Sequence, residues 1–427
     1  MHSLDTAAAQ GLASHGSGPS EWRSGWRLVL AAFLGAALTS VPANTVGVFM
    51  PHLAAEFGWS RSQIAAAVPI YGWSIALSAP FIGALLDRFG ARRFGLVGAV
   101  ALPASIAALA FLTPSITSYW IGWGLVALAQ IFANIMIWTF PVARHFRANR
   151  GAALALTLMG TSFTGLIYAP AAALSIEAWG WRATYAASGA IMILLVLPVA
   201  WLFFREPGGP RAAIPSPPLA PRAPAASGMA LTEAVRTRQF WQLVLAVLLG
   251  AGSAVGLFIH MIPIARTFGL APVAAATMVS GIALGSTLTK LVVGPVVDRM
   301  RAAPLAAFTM VAPAVTCAIF LFLQPLGYFP ALAASLLIGI ATGAELDMIA
   351  VLTTRYFGLR HFGRIYGVMQ SAFQVATGSG PLLIGIGYDR SGNYATPLAI
   401  IAMALLTSSV LLAALGRERF PPARRPG

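Results

Sequence analysis

The stretch Gly83-Ala-Leu-Leu-Asp-Arg-Phe-Gly-Ala-Arg-Arg93 is a short charged segment between two long apolar runs of the chain. A truncated copy, Gly294-Pro-Val-Val-Asp-Arg299, follows another apolar run 211 residues later. The tripeptides Arg144-His-Phe and Arg355-Tyr-Phe are separated by the same 211 residues. Two matches in one register indicate an internal duplication, with the same helices in the same order in both halves.

Apolar runs make up most of the chain. Of its 427 residues, 58% are hydrophobic and 9% are charged, whereas a soluble domain carries roughly 25% charged residues. A helix of about 20 apolar residues crosses the hydrocarbon core of a bilayer. Runs of this kind lie near 26–50, 62–84, 94–113, 118–141, 151–174, 184–204, 240–262, 273–297, 304–324, 329–352, 364–387 and 394–415. They predict an all-α membrane protein with twelve transmembrane helices in two six-helix pseudo-repeats.

A Pro- and Ala-rich stretch between the sixth and seventh runs predicts a linker between the two halves, because such composition favours extended chain. The residues before the first run are rich in Ala, Ser and Gly and are predicted to be disordered. The predicted segments are a cytoplasmic tail (1–22), an N-terminal half (23–204), a cytoplasmic linker (205–238), a C-terminal half (239–416) and a second cytoplasmic tail (417–427).

The basic residues predict the orientation. With the N-terminus inside, 22 of the 27 basic residues fall on the cytoplasmic side. The exceptions are the four outer arginines and one lysine within a run: Arg61, Arg182, Arg266, Arg390 and Lys290. By the positive-inside rule we expect a multi-pass protein of a bacterial inner membrane, with both termini cytoplasmic. The arginines form no stripe on a soluble surface, so nucleic acid is not expected as a partner.

Lys290 is the one lysine among 27 basic residues and lies inside the eighth apolar run. It is roughly 12 Å from Asp298 at the end of that run, close to the middle of the membrane. An ammonium group at that depth normally faces a cavity, pairs with an acid or meets an anion. Lys290 therefore predicts a carrier with an anionic substrate.

Enzyme chemistry is not indicated by any motif. The chain has no phosphate-binding Gly-rich loop with Lys-Ser/Thr, no cluster of metal ligands and no nucleophile–base pair at a plausible spacing. The single cysteine, Cys317, lies in an apolar run and cannot form an intramolecular disulfide. We expect no enzyme activity, no cofactor and no metal, and secondary rather than ATP-driven transport.

The charged stretch at Gly83–Arg93 resembles the cytoplasmic loop motif of the major facilitator superfamily, and the copy at Gly294–Arg299 resembles its truncated repeat. The resemblance covers about residues 25–415 and implies the major facilitator fold. In that family the motif latches helices across the cytoplasmic gate. Carried over by position, the gate residues are Gly83, Asp87, Arg88, Gly90, Arg92, Gly294, Asp298 and Arg299. The alternative is positive-inside anchoring, which suffices for Arg92 and Arg93.

Within the superfamily the chain resembles the monocarboxylate carriers and their oxalate–formate relatives. The stretches that carry this likeness are Gly25-Trp26, Ala31–Leu34, Gly47–Phe49, Lys290–Gly294, Ala344–Asp347 and Arg355–Gly358. Lys290 stands four residues before a glycine, where that group has an arginine for the substrate carboxylate. The resemblance implies a small organic anion as substrate.

The chain departs from the family pattern at several positions. A lysine replaces the arginine, so a point charge replaces a bidentate donor. Animal monocarboxylate carriers have an acid one turn before the cation and a lysine in the first helix, and Ser286 and Asn44 stand at these positions. The eleventh run lacks the second intramembrane cation of oxalate carriers. One cation favours a singly charged substrate.

Glu345 and Asp347 are the two acids inside an apolar run. Two residues apart on a helix, they point about 200° from each other. Our hypothesis is that one of them pairs with Lys290 in the empty carrier, and that a substrate carboxylate displaces it and frees the acid to take a proton. The alternative is a static salt bridge between the eighth and tenth helices.

Polar side chains within other runs are further candidates for substrate binding: Asn44, Asn134, Gln370, Gln374 and His260. The alternative for the amides is hydrogen bonding between helices, which contributes about 0.6 kcal/mol on average. For His260 the alternatives are an outer gate, proton handling or a position at the membrane interface.

We therefore expect a secondary active transporter for a small, monocarboxylate-like organic anion, working by alternating access with H⁺ coupling or exchange. The expected partners are the substrate, H⁺ and the lipid bilayer, and the expected state is a monomer. The alternatives are a drug or amphiphile efflux antiporter and a membrane sensor with a transporter-like fold.

Overall fold

The computed structural model describes residues 18–75, 77–78, 90–146, 149–205, 228–297, 300–323 and 327–420 of the chain. Within these ranges the regular structure is helical apart from one isolated β-bridge between Gly228 and Gly358. The predicted all-α architecture is confirmed.

We number the helices by membrane span. In the first half, α1 is Gly18–Phe57, α2 begins as Arg61–Ala65 and continues over 67–75, and α3 is Ala91–Ala108. The fourth span consists of two pieces, α4a (Ile116–Phe132) and α4b (Ile135–His145). The stretch Arg150–Phe203 contains α5 (150–179) and α6 (181–203), which are separated at Gly180. Gly180 has φ 79°, a left-handed conformation that favours glycine.

In the second half the helices are α7 (Arg238–Thr267), α8 (Pro272–Val297), α9 (Ala302–Phe322), α10 (Tyr328–Phe357), α11 (Phe362–Ser391) and α12 (Ala395–Ala413). Among the described residues, nine helical stretches are long and apolar enough to cross a membrane, and one of them is the double-length Arg150–Phe203. With α2 and the more polar α11, the predicted set of twelve spans is confirmed.

The structure differs from the predicted boundaries at three places. Helix α1 begins at Gly18, inside the segment predicted to be a disordered tail. The end of the predicted linker packs on α10, where the backbone N–H of Met229 donates to the Phe357 carbonyl at 2.8 Å. The start of the second tail does the same, with the N–H of Phe420 donating to the Arg355 carbonyl at 2.9 Å. Residues 1–17 and 206–227 lie outside the described ranges.

Equivalent helices pack together in both halves. Helix α5 crosses α1 where Gly160 lies against the Phe33 carbonyl, and α11 crosses α7 where Gly380 lies against the Gly252 carbonyl. Helix α3 packs on α6, and α9 packs on α12 in the same way. Small residues at these crossings allow the helix backbones to approach closely. The duplication seen in the charged loops therefore extends to the packing.

The two halves meet at one end of the bundle. We name as inner the end where α1 begins and α12 ends, and as outer the opposite end. About 12 Å from the outer end of α8, Ser280 Oγ donates to the Leu166 carbonyl near the middle of α5. Gly47 of α1 lies against the Ile259 carbonyl of α7. These contacts close the outer end.

The faces of α5 and α8 that contact each other further out become exposed towards the inner end of the bundle. A Cβ at Gly165 of α5 would lie 3.0 Å from the Cβ of Ala283 of α8, so the helices touch there. Two turns further inward, Leu158 of α5 is 44% exposed and Lys290 of α8 is also exposed. Because these faces touch at Gly165 and Ala283 but not further inward, we infer an opening between the halves towards the inner end.

Candidate functional site

Lys290 lies on the wall of this inner opening. Ala276, Ala283 and Lys290 are seven residues apart and occupy one face of α8. The first two face α5: Ala276 lines a small cavity together with Ala173, and Ala283 lies against Gly165. Lys290 is the next position on this face, about 10 Å further inward. It is exposed and forms no hydrogen bond or ion pair with the described residues.

Asp347 lies on the neighbouring helix α10 at a similar depth. A Cβ at Gly343 would lie 3.0 Å from the Thr289 Cβ, so α8 and α10 touch one residue before Lys290. Asp347 is one turn further inward on this face of α10 and is exposed. The opening therefore has a cation and an acid on adjacent helices.

Glu345 points in the opposite direction. Its side chain is 7% exposed and faces a cavity of about 30 Å³ between α7, α9, α10 and α12. The reason is helical geometry, since a separation of two residues rotates the side chain by about 200°. Its Oε1 atom has no hydrogen-bond partner.

The ion pair expected between Lys290 and one of the two acids is not formed in this structure. The two ion pairs among the described residues are Arg182–Glu56 and Arg355–Glu418. Glu345 is turned away from α8, and Asp347 stays exposed on the Lys290 side. The structure thus decides which acid is near the opening, and the proton-coupling roles of both acids stay predictions.

Three of the predicted amide side chains, Asn44, Gln370 and Gln374, are buried or half-buried between helices. Asn44 of α1 is buried, with its Nδ2 donating to the Ser40 carbonyl at 2.8 Å, and its Oδ1 has no partner. This Oδ1 lies 3.7 Å from a Cβ placed on Gly165, at the closed end of the opening. Gln370 and Gln374 are half-buried on α11, and Gln370 Oε1 has no hydrogen-bond partner.

Asn134 has a structural contact that its sequence position does not reveal. It is the N-cap of α4b, and its Oδ1 accepts a hydrogen bond from the backbone N–H of Met136 at 3.0 Å. The apolar run 118–141 predicts one continuous helix, whereas the structure breaks it here. Because the side-chain oxygen of Asn134 caps the helix, its Nδ2 group is the part that can still donate a hydrogen bond to a substrate.

His260 lies away from Lys290. It is fully buried, its Nε2 is 2.9 Å from the Pro381 carbonyl and its Nδ1 is 3.0 Å from the Tyr394 hydroxyl. A carbonyl can only accept, so Nε2 carries the proton and Nδ1 accepts from the tyrosine. His260 is about 10 Å from the outer end of α7, whereas Lys290 is about 27 Å from the outer end of α8. Its place is a link between α7, α11 and α12 rather than the opening.

The predicted gate residues are described only in part. Gly83, Asp87, Arg88, Asp298 and Arg299 lie outside the described ranges. Gly90 precedes α3 with φ 80°, which favours glycine. Arg92 donates to the Trp201 carbonyl of α6 at 3.0 Å, and Gly294 lies within the last two turns of α8. The gating role of this motif stays a prediction.

An acid that carries no sequence signal joins the halves at the outer end. The two carboxylate oxygens of Asp389, on α11, accept hydrogen bonds from the backbone N–H groups of Arg61 and Ser62, each at 2.9 Å. These groups begin α2 and have no partner within their own helix. A carboxylate also suits the positive end of the helix dipole. Asp389 thus fastens α11 to α2.

We expect Asp389→Ala to weaken the outer closure. Loss of a helix cap costs about 0.5–2 kcal/mol, which shifts the population towards an open outer end roughly two- to thirtyfold. Cys317 is buried and is the single cysteine. A Cys317→Ala, Ala276→Cys protein therefore reports closure through its labelling rate with a water-soluble maleimide.

The matched control for this experiment is Arg390→Ala, an exposed charge next to Asp389. It should label at the parent rate. Equal labelling rates for the Asp389→Ala protein and its parent would contradict the latch.

A second contact without a sequence signal lies at the inner end. Arg355 ends α10 and pairs with Glu418 at 3.2 Å, and both side chains are less than 10% exposed. Arg355 also donates to the carbonyls of Val297 and Met300. Glu418 Oε1 accepts from the backbone N–H of Ala302 at 2.8 Å, at the start of α9. The pair fastens the segment after α12 to the inner ends of α8, α9 and α10.

A larger cavity than that at Glu345 lies away from Lys290. It has a volume of about 670 Å³ and lies between α1, α5 and α6. Its wall is almost entirely apolar, with Phe163, Tyr168 and Trp179 as its large aromatic residues. It contains no charged group and therefore offers no counterpart for an anion.

Comparison with known proteins gives the family. The model of the Major Facilitator Superfamily matches residues 32–381 and 261–427. The chain is 27% identical over 422 residues to monocarboxylate transporter 11 of Homo sapiens, covering 94% of this chain and 85% of that protein. It is 23% identical to monocarboxylate transporter 13 of Bos taurus, covering 93% and 90%.

The fold is also that of solved transporters. The structure of the nucleoside transporter NupG matches with a TM-score of 0.72 at 13% identity, covering 91% of this chain and 98% of that one. At this identity the likeness concerns the fold alone. The family match, the twelve helices and the paired halves agree. The chain belongs to the major facilitator superfamily and is a multi-pass membrane transporter, not an enzyme.

Proposed function

We propose that the protein is a secondary carrier for a small, singly charged organic anion such as a monocarboxylate. The observation that carries this proposal is Lys290, an exposed cation about 10 Å from the inner end of α8, on the face of that helix that packs on α5 further out. A cation at such a depth is costly unless it meets an anion. With no ion pair to a described residue, Lys290 is available to a carboxylate.

The other groups at the opening fit this proposal. Asn44 Oδ1 and Gln370 Oε1 are buried acceptors without partners, so they can receive hydrogen bonds from a hydroxyl of the substrate or from water. Asp347 is a nearby acid that disfavours a second negative charge on the substrate. The names of the relatives, monocarboxylate transporters 11 and 13, support the same substrate class.

The mechanism we propose is alternating access in a bacterial inner membrane, with both termini cytoplasmic. The arginine distribution supports this orientation. The structure is closed at the outer end and open at the inner end, so Lys290 would be reached from the cytoplasm. Release on the other side requires the outer contacts to separate and the inner faces to meet. Transport proceeds by exchange or with H⁺, and the acting unit is a monomer.

Counterflow tests the proposal directly. The purified protein is reconstituted into liposomes, which are loaded in turn with unlabelled lactate, pyruvate, formate, acetate, oxalate and succinate. Uptake of the same compound in labelled form is then measured at two pH values. We expect counterflow with a monocarboxylate and little with the dicarboxylates. If no member of the panel gives counterflow above empty liposomes, the proposal fails.

A second candidate is efflux of an amphiphile. The apolar cavity between α1, α5 and α6 favours it, because a volume of about 670 Å³ accommodates a molecule larger than a monocarboxylate. Efflux of a fluorescent dye by the same proteoliposomes, without counterflow of any carboxylate, would favour this candidate.

A further inference from the structure

Glu345 faces a cavity that is separate from the opening at Lys290. The cavity has a volume of about 30 Å³ and lies inside the second half, between α7, α9, α10 and α12. Thr309 and Ser408 contribute the hydroxyl groups of its wall. Each hydroxyl donates to a backbone carbonyl at 2.8 Å, Thr309 to Ala306 and Ser408 to Ala246. Their oxygens therefore remain free to accept a hydrogen bond.

The wall around Glu345 contains no other titratable group. The faces that α7, α9 and α12 turn towards it are aliphatic apart from Met310 and the two hydroxyls. The charged and titratable groups on α10 and the helices beside it lie outside this wall. Lys290 on α8, Asp347 on α10 and Tyr366 on α11 are on the other face of α10. Arg355 and Tyr356 are about 15 Å further inward along α10, where Arg355 is paired with Glu418. No cation is therefore available to Glu345.

An ionised carboxylate is expensive in such an enclosure, whereas the neutral acid can donate its O–H to a hydroxyl oxygen. The cavity also has room for water, since about 10–15 Å³ holds one molecule. A leucine or methionine would fill this position without the cost of a buried acid. The acid therefore indicates a group that gains and loses a proton.

Helix α10 connects this cavity to the anion site. Gly343 is two residues before Glu345, and it touches Thr289, the residue before Lys290. A displacement of α10 at the cavity would therefore also displace α8 near Lys290. Gly343 also lies against the backbone of Ser286 on α8, so the two helices are packed closely enough to transmit small movements.

We propose that Glu345 and its cavity are a proton-binding site of this carrier, placed inside the second half and apart from the anion site. This proposal rests on the proposed function. The carboxylate binds H⁺ from water, forming an O–H bond, and returns H⁺ to water in the other half of the cycle. Bound substrate changes the equilibrium between the protonated and the ionised Glu345 carboxyl through the contact between α8 and α10. No electrons are transferred.

Infrared spectroscopy tests the proton site without transport. The difference spectrum of the reconstituted protein between two pH values should contain the carbonyl stretch of a protonated carboxylic acid. Glu345→Gln should remove this band, and the matched variant Asp347→Asn should retain it. A band that persists in Glu345→Gln, or a wild-type protein without the band, would overturn the proposal.

Flux measurements test the coupling. Glu345→Gln cannot exchange a proton, so accumulation driven by a pH gradient should fall to the level without a gradient. Counterflow of the monocarboxylate selected above should stay within about twofold of the wild-type rate, because exchange needs no net proton movement. Gradient-driven accumulation at the wild-type level, or loss of counterflow together with accumulation, would count against the proposal.

Two further comparisons separate a proton-binding role of Glu345 from a structural one, and failure of this proposal from failure of the proposed function. Glu345→Asp keeps a titratable acid and should retain part of the accumulation, which a purely structural role of glutamate does not predict. If the wild-type protein shows no carboxylate counterflow, the proposed function fails, while the infrared titration still decides whether Glu345 exchanges a proton.

Discussion

Replacement of Lys290 by methionine should abolish counterflow of the substrate anion while the amount of folded protein in the membrane stays unchanged. Methionine keeps most of the side-chain length and removes the charge. A hydrogen bond to a charged group contributes about 1.5–3 kcal/mol. Its loss alone should lower the rate of counterflow by about tenfold to a hundredfold. Stability should be unaffected because Lys290 is exposed and forms no ion pair with the described residues.

The controls for this experiment separate charge from packing. Leu291 is the next residue and is 69% exposed, so Leu291→Ala should transport at close to the wild-type rate. Lys290→Arg keeps the charge and should retain part of the activity. Counterflow at the wild-type rate in Lys290→Met would refute the anion site.

Asp347 gives a further discriminating variant at the same site. A static salt bridge between α8 and α10 predicts that Lys290→Met is unstable and that adding Asp347→Asn restores folding. The structure forms no such bridge, so the double variant should be as stable as each single variant and should still lack counterflow.

Disruption of the pair Arg355–Glu418 should have the largest effect on stability. Both side chains are buried, and removal of one partner leaves an uncompensated charge, which costs about 3–5 kcal/mol. We expect Arg355→Met and Glu418→Gln each to lower the thermal unfolding midpoint of the purified protein and the fraction that survives heating in detergent. Arg355→Met should be the more severe, because it also removes the donors to Val297 and Met300.

A double variant and a neighbouring charge serve as controls. The combination of Arg355→Met with Glu418→Gln should be less destabilised than the sum of the single effects, because neither charge is left alone. Arg417→Ala, an exposed neighbour of Glu418, should unfold at the wild-type temperature. Strictly additive effects, or equal loss in the Arg417→Ala variant, would show that the pair is not the source of stability.

The site was predictable from sequence to an uneven degree. Lys290 stood out because it is the single lysine and lies within an apolar run, and helix geometry gave its depth. The same geometry showed that Glu345 and Asp347 point apart, but it could not decide which one is on the side of α8. That choice depends on how α10 is rotated against its neighbours, which the contact of Gly343 with Thr289 sets.

Other residues could not have been found from the sequence. Asp389 contacts the start of α2 from 328 residues away, and Glu418 contacts Arg355 across 63 residues. Neither acid belongs to a motif. His260 is a sequence candidate for the substrate site because it is polar within a run, whereas its two hydrogen bonds are with Pro381 of α11 and with Tyr394, the N-cap of α12. Partners of this kind are created by packing.

The sequence by itself determined the twelve helices, their division into two related halves and the depth of Lys290. In a bilayer each spanning helix must satisfy its own backbone hydrogen bonds, so length, hydrophobicity and order along the chain decide these features locally. The tertiary structure decided that the outer end is closed, that Asp347 rather than Glu345 is on the face of α10 turned towards α8, and that Glu345 faces a cavity of its own. These features depend on how helices far apart in the chain rotate and touch, because hydrogen bonds and ion pairs act over a few ångströms.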